Sequence, residues 1–193
     1  MNTPNKLTVL RMIAVPFFLA VAVMDFKHNY LMALILFCLA SLTDWFDGML
    51  ARKHNLITNF GKFLDPLADK MLTTSALLAF IKMEDAIPGA LIVAFITLFR
   101  EFVVSGVRLS AVADGGKVIA ANIWGKLKTV SQMFAIIILL FAAWLGKEQI
   151  ASSLLYNIVN VSGVVLLWAS ALLTVISGVI YVVDNAKFID FRK

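Results

Sequence analysis

Apolar runs recur from one end of this 193-residue chain to the other, and they constrain its fold more than any other feature. A helix needs about 20 mostly apolar residues to cross the hydrocarbon core of a bilayer. Blocks near that length lie at approximately 9–26, 29–52, 61–82, 86–112, 122–146 and 154–183. Hydrophobic residues make up 61% of the chain and charged residues 15%, far from the balance of a soluble domain. The blocks are continuous rather than alternating, which excludes a β-barrel. The expected fold is all-α: one polytopic membrane domain over 1–193, with six transmembrane helices. Met1–Lys6 is too short to span and is expected to be a short interfacial segment leading into the first helix.

Lys6 and Arg11 before an apolar run, with Ala20-Val21-Ala22 beyond it, resemble a cleavable signal; the run is read as a retained span. Pro16 is tolerable within it. Six spans place both termini on one side. That side carries Lys6, Arg11, Arg52, Lys53, Lys62, Arg108, Lys117, Lys126, Lys128, Lys187, Arg192 and Lys193, twelve cations against Lys27, Lys82 and Lys147 on the other. The bias makes the termini and the second connection cytoplasmic. Trp124, Trp144 and Tyr156 fall near span ends, where an aromatic belt belongs. His28 and His54 sit beside connections and are read as loop residues. The single cysteine, Cys38, lies in an apolar run as a small hydrophobe, and one thiol makes no internal disulfide. No Gly-x-x-x-Gly spacing signals a helix dimer. No nucleic-acid partner is expected.

Against this background the segment DWFDGMLARKHNLITNFGKFLDPLAD, Asp44 to Asp69, is anomalous. An aspartate at a span centre costs about 2.5–3.5 kcal/mol on insertion scales, so four must face a polar cavity or a cation. Asp44 and Asp47 are three apart, Asp65 and Asp69 four apart, so each pair shares a helix face. Gly48 and Ala51 continue the first face, and Gly61 and Ala68 lie close to the second. The short polar connection 53–60 should make the helices an antiparallel hairpin, with Asp44 level with Asp69 and Asp47 with Asp65. Pro66 fits the first turn of a helix starting near Gly61. Converging carboxylates without histidine or thiol suit a hard cation, Mg²⁺ or Mn²⁺, and bridging carboxylates hold two. Two cations clamp phosphoryl chemistry. Arg52, nearly on the face of Asp44, is placed to bind a phosphate. A structural ion-pair network of Arg52, Lys62 and Lys70 is the plainer reading, but four acids in one hairpin exceed what packing requires.

These residues resemble the signature of the CDP-alcohol phosphotransferase family. Asp44, Asp47, Gly48, Ala51, Arg52, Gly61, Asp65 and Asp69 fill every fixed place in it, with the eight-residue spacer 53–60 intact. The resemblance implies transfer of a substituted phosphate from a CDP-linked donor to an acceptor hydroxyl, with release of CMP. It implies that Asp44, Asp47, Asp65 and Asp69 ligate two divalent cations. It further implies that Asp69 is the general base and that Gly48, Ala51, Arg52 and Gly61 meet the CDP part. Members are commonly homodimers.

Arg100 and Arg108, eight apart in one span, form a second basic group, followed by Lys117, Lys126 and Lys128 on the same side. An acceptor bearing its own phosphate would need them; positive-inside topology alone explains Arg100, beside Glu101 within a span, poorly. FREFVVSGVR (99–108) and PNKLTVLR (4–11) resemble the bacterial branch that joins CDP-diacylglycerol to sn-glycerol 3-phosphate. On that likeness Arg11 joins the acceptor-phosphate group, and Asn5 and Thr8 lie at the mouth near CDP-diacylglycerol. The implied location is the bacterial cytoplasmic membrane, among its lipids, with the site facing the cytoplasm. Inositol phosphate, then phosphatidylglycerol as in cardiolipin synthesis, are the alternative acceptors. A cation-coupled transporter explains intramembrane carboxylates but not the Asp-Gly-x-x-Ala-Arg pattern. A lipid-binding scaffold needs no such cluster.

Overall fold

The apolar blocks become six helices because, in lipid, only intrahelical hydrogen bonds satisfy the backbone. In the computed structural model they are α1 (Thr3–Val23), α2 (Asn29–Lys53), α3 (Asn59–Ile81), α4 (Ala90–Ala113), α5 (Ile123–Lys147) and α6 (Ser153–Asp184). The structure describes residues 3–53, 59–113 and 123–186, with the side chains of 3–5, 45–48, 50–53, 59–63, 65, 66 and 111–113 excepted. Among the described residues there is no strand. Four helices, α1, α4, α5 and α6, are long and apolar enough to cross a membrane, and α2 contains a shorter apolar stretch, Asn29–Asp44. Large apolar side chains such as Phe17, Phe95, Phe102, Leu109, Leu154 and Val183 cover the outside, a surface suited to lipid and not to water. The chain is an all-helical membrane protein.

Three boundaries depart from expectation. Residues 3–6 already belong to the helix, as the first turn of α1. The fourth helix starts at Ala90, not near 86, because Pro88 and Gly89 turn the chain. Gly89 takes a positive φ of 78° and lies against Trp168, leaving no space for a side chain. The Glu84 carboxylate accepts from the N–H groups of Gly89 (2.7 Å) and Leu91 (3.4 Å), capping α4. Finally, α3 begins at Asn59, so Pro66 stands seven residues inside it and beyond the first turn.

Connections 24–28, 82–89 and 148–152 gather at one end. Lys82 Nζ donates to Val23 O (2.7 Å), and Lys147 Nζ to Phe26 O (2.9 Å), Asn29 Oδ1 (2.9 Å) and Asp25. The hydrogen bond from Lys147 holds the exposed Asp25 carboxyl below the usual carboxylate range. His28, a loop residue as expected, donates its backbone N–H to Glu148 (2.8 Å). Trp144 and Tyr156 lie at this end and Trp124 at the other. The helices therefore alternate in direction, and the ends flanking 54–58 and 114–122 point the opposite way.

The core joins α1, α2 and α3 through Phe18, Phe37, Leu72, Leu77 and Phe80, and continues through Val93, Ile136, Leu139 and Leu167. Phe18 and Phe37 meet at 5.9 Å between ring centroids. Alanines and small residues fill the closest approaches, as lipid-embedded helix packing requires. On α6, Ser170, Thr174 and Ser177 are buried, and each donates to a carbonyl three or four residues back. At Gly163 an added Cβ would come within 2.8 Å of Leu139. Gly163→Val is therefore expected to force α5 and α6 apart and to cost about 1–3 kcal/mol. A lower melting temperature of the purified protein checks this; an unchanged one would mean that Leu139 simply turns aside.

Candidate active site

On α1, Thr8 and Arg11 lie one turn apart and are 1% and 2% exposed. Arg11 reaches α2: its Nη1 donates to Asp44 Oδ1 at 2.6 Å and its Nε to Ala40 O at 3.2 Å. The Asp44 side chain keeps 41% of its surface exposed. From α3, half-buried Asp69 lies within electrostatic reach of Asp44, Arg11, Lys128 and Glu101. The two aspartates, one on α2 and one on α3, therefore share one electrostatic environment. The two helices run antiparallel as expected, but among the described residues they pack only lightly on each other, and α1 packs against both. An arginine on the intervening helix offsets the repulsion that would otherwise drive the carboxylates apart.

The side chains of Asp47, Gly48, Ala51, Arg52, Gly61, Asp65 and Asn5 lie outside the described residues, as do Lys117 and His54 altogether. Among the described residues no group of three His, Cys, Asp or Glu gathers as for a metal. The donor chemistry nevertheless fits a hard divalent cation. Asp44 and Asp69, on separate helices and within electrostatic reach of each other, are both hard oxygen donors.

A second cluster is centred on Glu101 of α4. Its Oε1 accepts from Lys128 Nζ (2.7 Å, α5) and Arg100 Nη1 (2.9 Å), and its Oε2 pairs with Lys70 Nζ (3.0 Å, α3). Arg100 Nη2 also donates to Ser177 Oγ on α6 (3.3 Å), its stem passing where Gly178 has no side chain. Lys70 donates to Ser105 Oγ (3.2 Å). Three cations held by one carboxylate leave excess positive charge in a low-dielectric setting.

A cavity of about 170 Å³ lies against Asp69 and the Glu101 cluster. Asp69, Lys70, Arg100, Glu101, Arg108 and Lys128 all line it. The Nε atom of Arg108 is buried with no hydrogen-bond partner among the described residues. Of the basic residues marked in the sequence, Arg100, Arg108 and Lys128 thus share one wall system with Asp69. Lys126 does not: it is exposed, because two residues along a helix turn it away from Lys128. Arg11 stands with Asp44 rather than with the second basic group. Glu101 and Lys70 were missed as site residues. Glu101 is itself an intramembrane acid, a signal equal in kind to that of the aspartates.

The geometry agrees with what is similar to the chain. The family model described as CDP-alcohol phosphatidyltransferase matches residues 1–176. The chain is 39% identical to the CDP-diacylglycerol–glycerol-3-phosphate 3-phosphatidyltransferase of Bacillus subtilis (strain 168), covering 95% of each chain. It is 39% identical to the enzyme of that name from Rickettsia bellii, covering 93% of each. With that of Salmonella typhimurium it shares 35% identity over 87% of this chain and 90% of the relative. A match over nearly the whole length, with the aspartate signature complete, means that this chain belongs to the CDP-alcohol phosphatidyltransferase family.

Proposed function

We propose that the protein transfers the phosphatidyl group of CDP-diacylglycerol to sn-glycerol 3-phosphate, giving phosphatidylglycerophosphate and CMP. The observation that carries this reading is a cavity lined together by Asp69, Arg100, Arg108 and Lys128. Such a cavity suits an acceptor with a hydroxyl at one end and a phosphate at the other. The names and coverage of the relatives support the same acceptor.

Arg108 and Lys128 hold the acceptor phosphate, with Arg100 and Lys70 adding charge. Glu101 keeps Lys70, Arg100 and Lys128 oriented towards the cavity. Asp69 takes the proton of the acceptor hydroxyl as its oxygen attacks the phosphorus attached to diacylglycerol. The bond from that phosphorus to the bridging oxygen breaks, and CMP leaves. Asp44, Asp47, Asp65 and Asp69 would hold two divalent cations, Mg²⁺ or Mn²⁺, which when bound neutralise the diphosphate. Asn5, Thr8, Gly48, Ala51, Arg52 and Gly61 line the CDP-diacylglycerol side. Arg11 fixes Asp44. All six helices span, α2 and α3 admitting their charges because these face the cleft. The domain is single, homodimeric and embedded in a bacterial cytoplasmic membrane with the site towards the cytoplasm.

Arg108→Ala is expected to raise the KM for glycerol 3-phosphate by about tenfold or more, with little change in that for CDP-diacylglycerol. Steady-state CMP release with each substrate varied in turn tests this. Equal effects on both constants would remove Arg108 from the acceptor site.

A further inference from the structure

Gln132 lines the same cavity from α5, one turn beyond Lys128 and on the same face. It is 3% exposed, and its Nε2 is buried with no hydrogen-bond partner among the described residues. Buried amides in native proteins are nearly always paired, so this one calls for a partner that the described residues do not supply. The residue is neutral, unlike the cations above it, and suits a hydroxyl better than a phosphate. Depth points the same way. Gln132 is nine residues from the start of α5 and Asp69 ten from the start of α3. At 1.5 Å per residue both lie roughly 14–15 Å along their helices from the same end. Arg108 and Lys128 are each five residues from that end, nearer the mouth.

We infer that Gln132 reads the second, non-reacting hydroxyl of the acceptor, resting on the reaction proposed above. With the acceptor phosphate at Arg108 and Lys128 and the reacting hydroxyl at Asp69, the central carbon of a three-carbon acceptor lies between them. Its hydroxyl then faces the wall that holds Gln132. A hydroxyl both donates and accepts, so it satisfies the amide in either orientation of the terminal group. The terminal torsion of glutamine is broad, and the amide turns to an occupant at little cost. Gln132 is thus a specificity residue that favours a vicinal diol phosphate over a simple hydroxyalkyl phosphate.

The test compares kcat/KM for CMP release with sn-glycerol 3-phosphate and with 3-hydroxypropyl phosphate, which lacks only the central hydroxyl. The purified full-length protein and its Gln132→Met variant are assayed with CDP-diacylglycerol and Mg²⁺ or Mn²⁺. The wild type is expected to prefer glycerol 3-phosphate by about tenfold to a hundredfold, the range for an unmade buried hydrogen bond. Gln132→Met, similar in shape but without the amide, should bring the ratio to within about twofold. The ratio is internal to each protein, so loss of folded enzyme cancels. A variant that keeps the wild-type ratio overturns the inference. Equal use of both acceptors by the wild type overturns it without any variant, and leaves the reaction standing. No CMP with glycerol 3-phosphate itself would instead overturn the reaction, and this inference with it.

Discussion

Asp69→Asn should lower CMP release by about a thousandfold while the protein remains folded. The amide keeps the shape of the side chain but neither accepts a proton at neutral pH nor carries the charge that a divalent cation needs. Asp69 lies within electrostatic reach of Asp44, Arg11, Lys128 and Glu101, and it lines the cavity that Arg100, Arg108 and Lys128 also line. No other carboxylate among the described residues stands there except Glu101, whose oxygens are taken by three cations. Turnover and melting temperature in the same detergent would be measured together. A folded variant retaining more than about a tenth of wild-type turnover would show that Asp69 is not the base.

Arg11→Met is expected to destabilise the fold by about 1–3 kcal/mol, the cost of losing the hydrogen bonds of a buried guanidinium while the Asp44 carboxylate left behind is partly exposed. Arg11 joins α1 to α2 through two separate nitrogens, one to Asp44 and one to the Ala40 carbonyl. Lysine has one nitrogen and a different reach, so Arg11→Lys should recover only part of the loss. Activity should fall with Arg11→Met as well, since Asp44 loses the group that orients it. Thermal or denaturant unfolding of the three proteins settles the order. Equal stability of Arg11→Met and wild type would mean that the pair is incidental to the fold.

The aspartates were legible because charge inside an apolar run is costly and therefore conspicuous, and because their spacing follows the helix period. The helices were legible for the same reason, and most of their ends lie within two residues of expectation. Helix partners were not. In lipid every face is apolar, and the sequence carries no stripe to say that α1 rather than α3 packs beside α2. The pairing of Arg11 with Asp44 depends on that arrangement and was hidden with it. Lys126 and Lys128 looked alike as basic residues on one side of the membrane; helix geometry separates them. Glu101 gave the same signal as the aspartates but stood alone, without a partner at helical spacing to form a motif. Gln132 gave none, since a single amide in a span becomes informative only when its surroundings leave it unpaired.

The most direct test of the whole account is CMP release by the purified protein supplied with CDP-diacylglycerol and Mg²⁺ or Mn²⁺. Glycerol 3-phosphate, inositol 1-phosphate, glycerol, inositol and serine would be offered in turn as acceptors. Metal-dependent turnover with glycerol 3-phosphate and with none of the others is the predicted result. Turnover with a different acceptor, or none in the presence of glycerol 3-phosphate, would contradict the account.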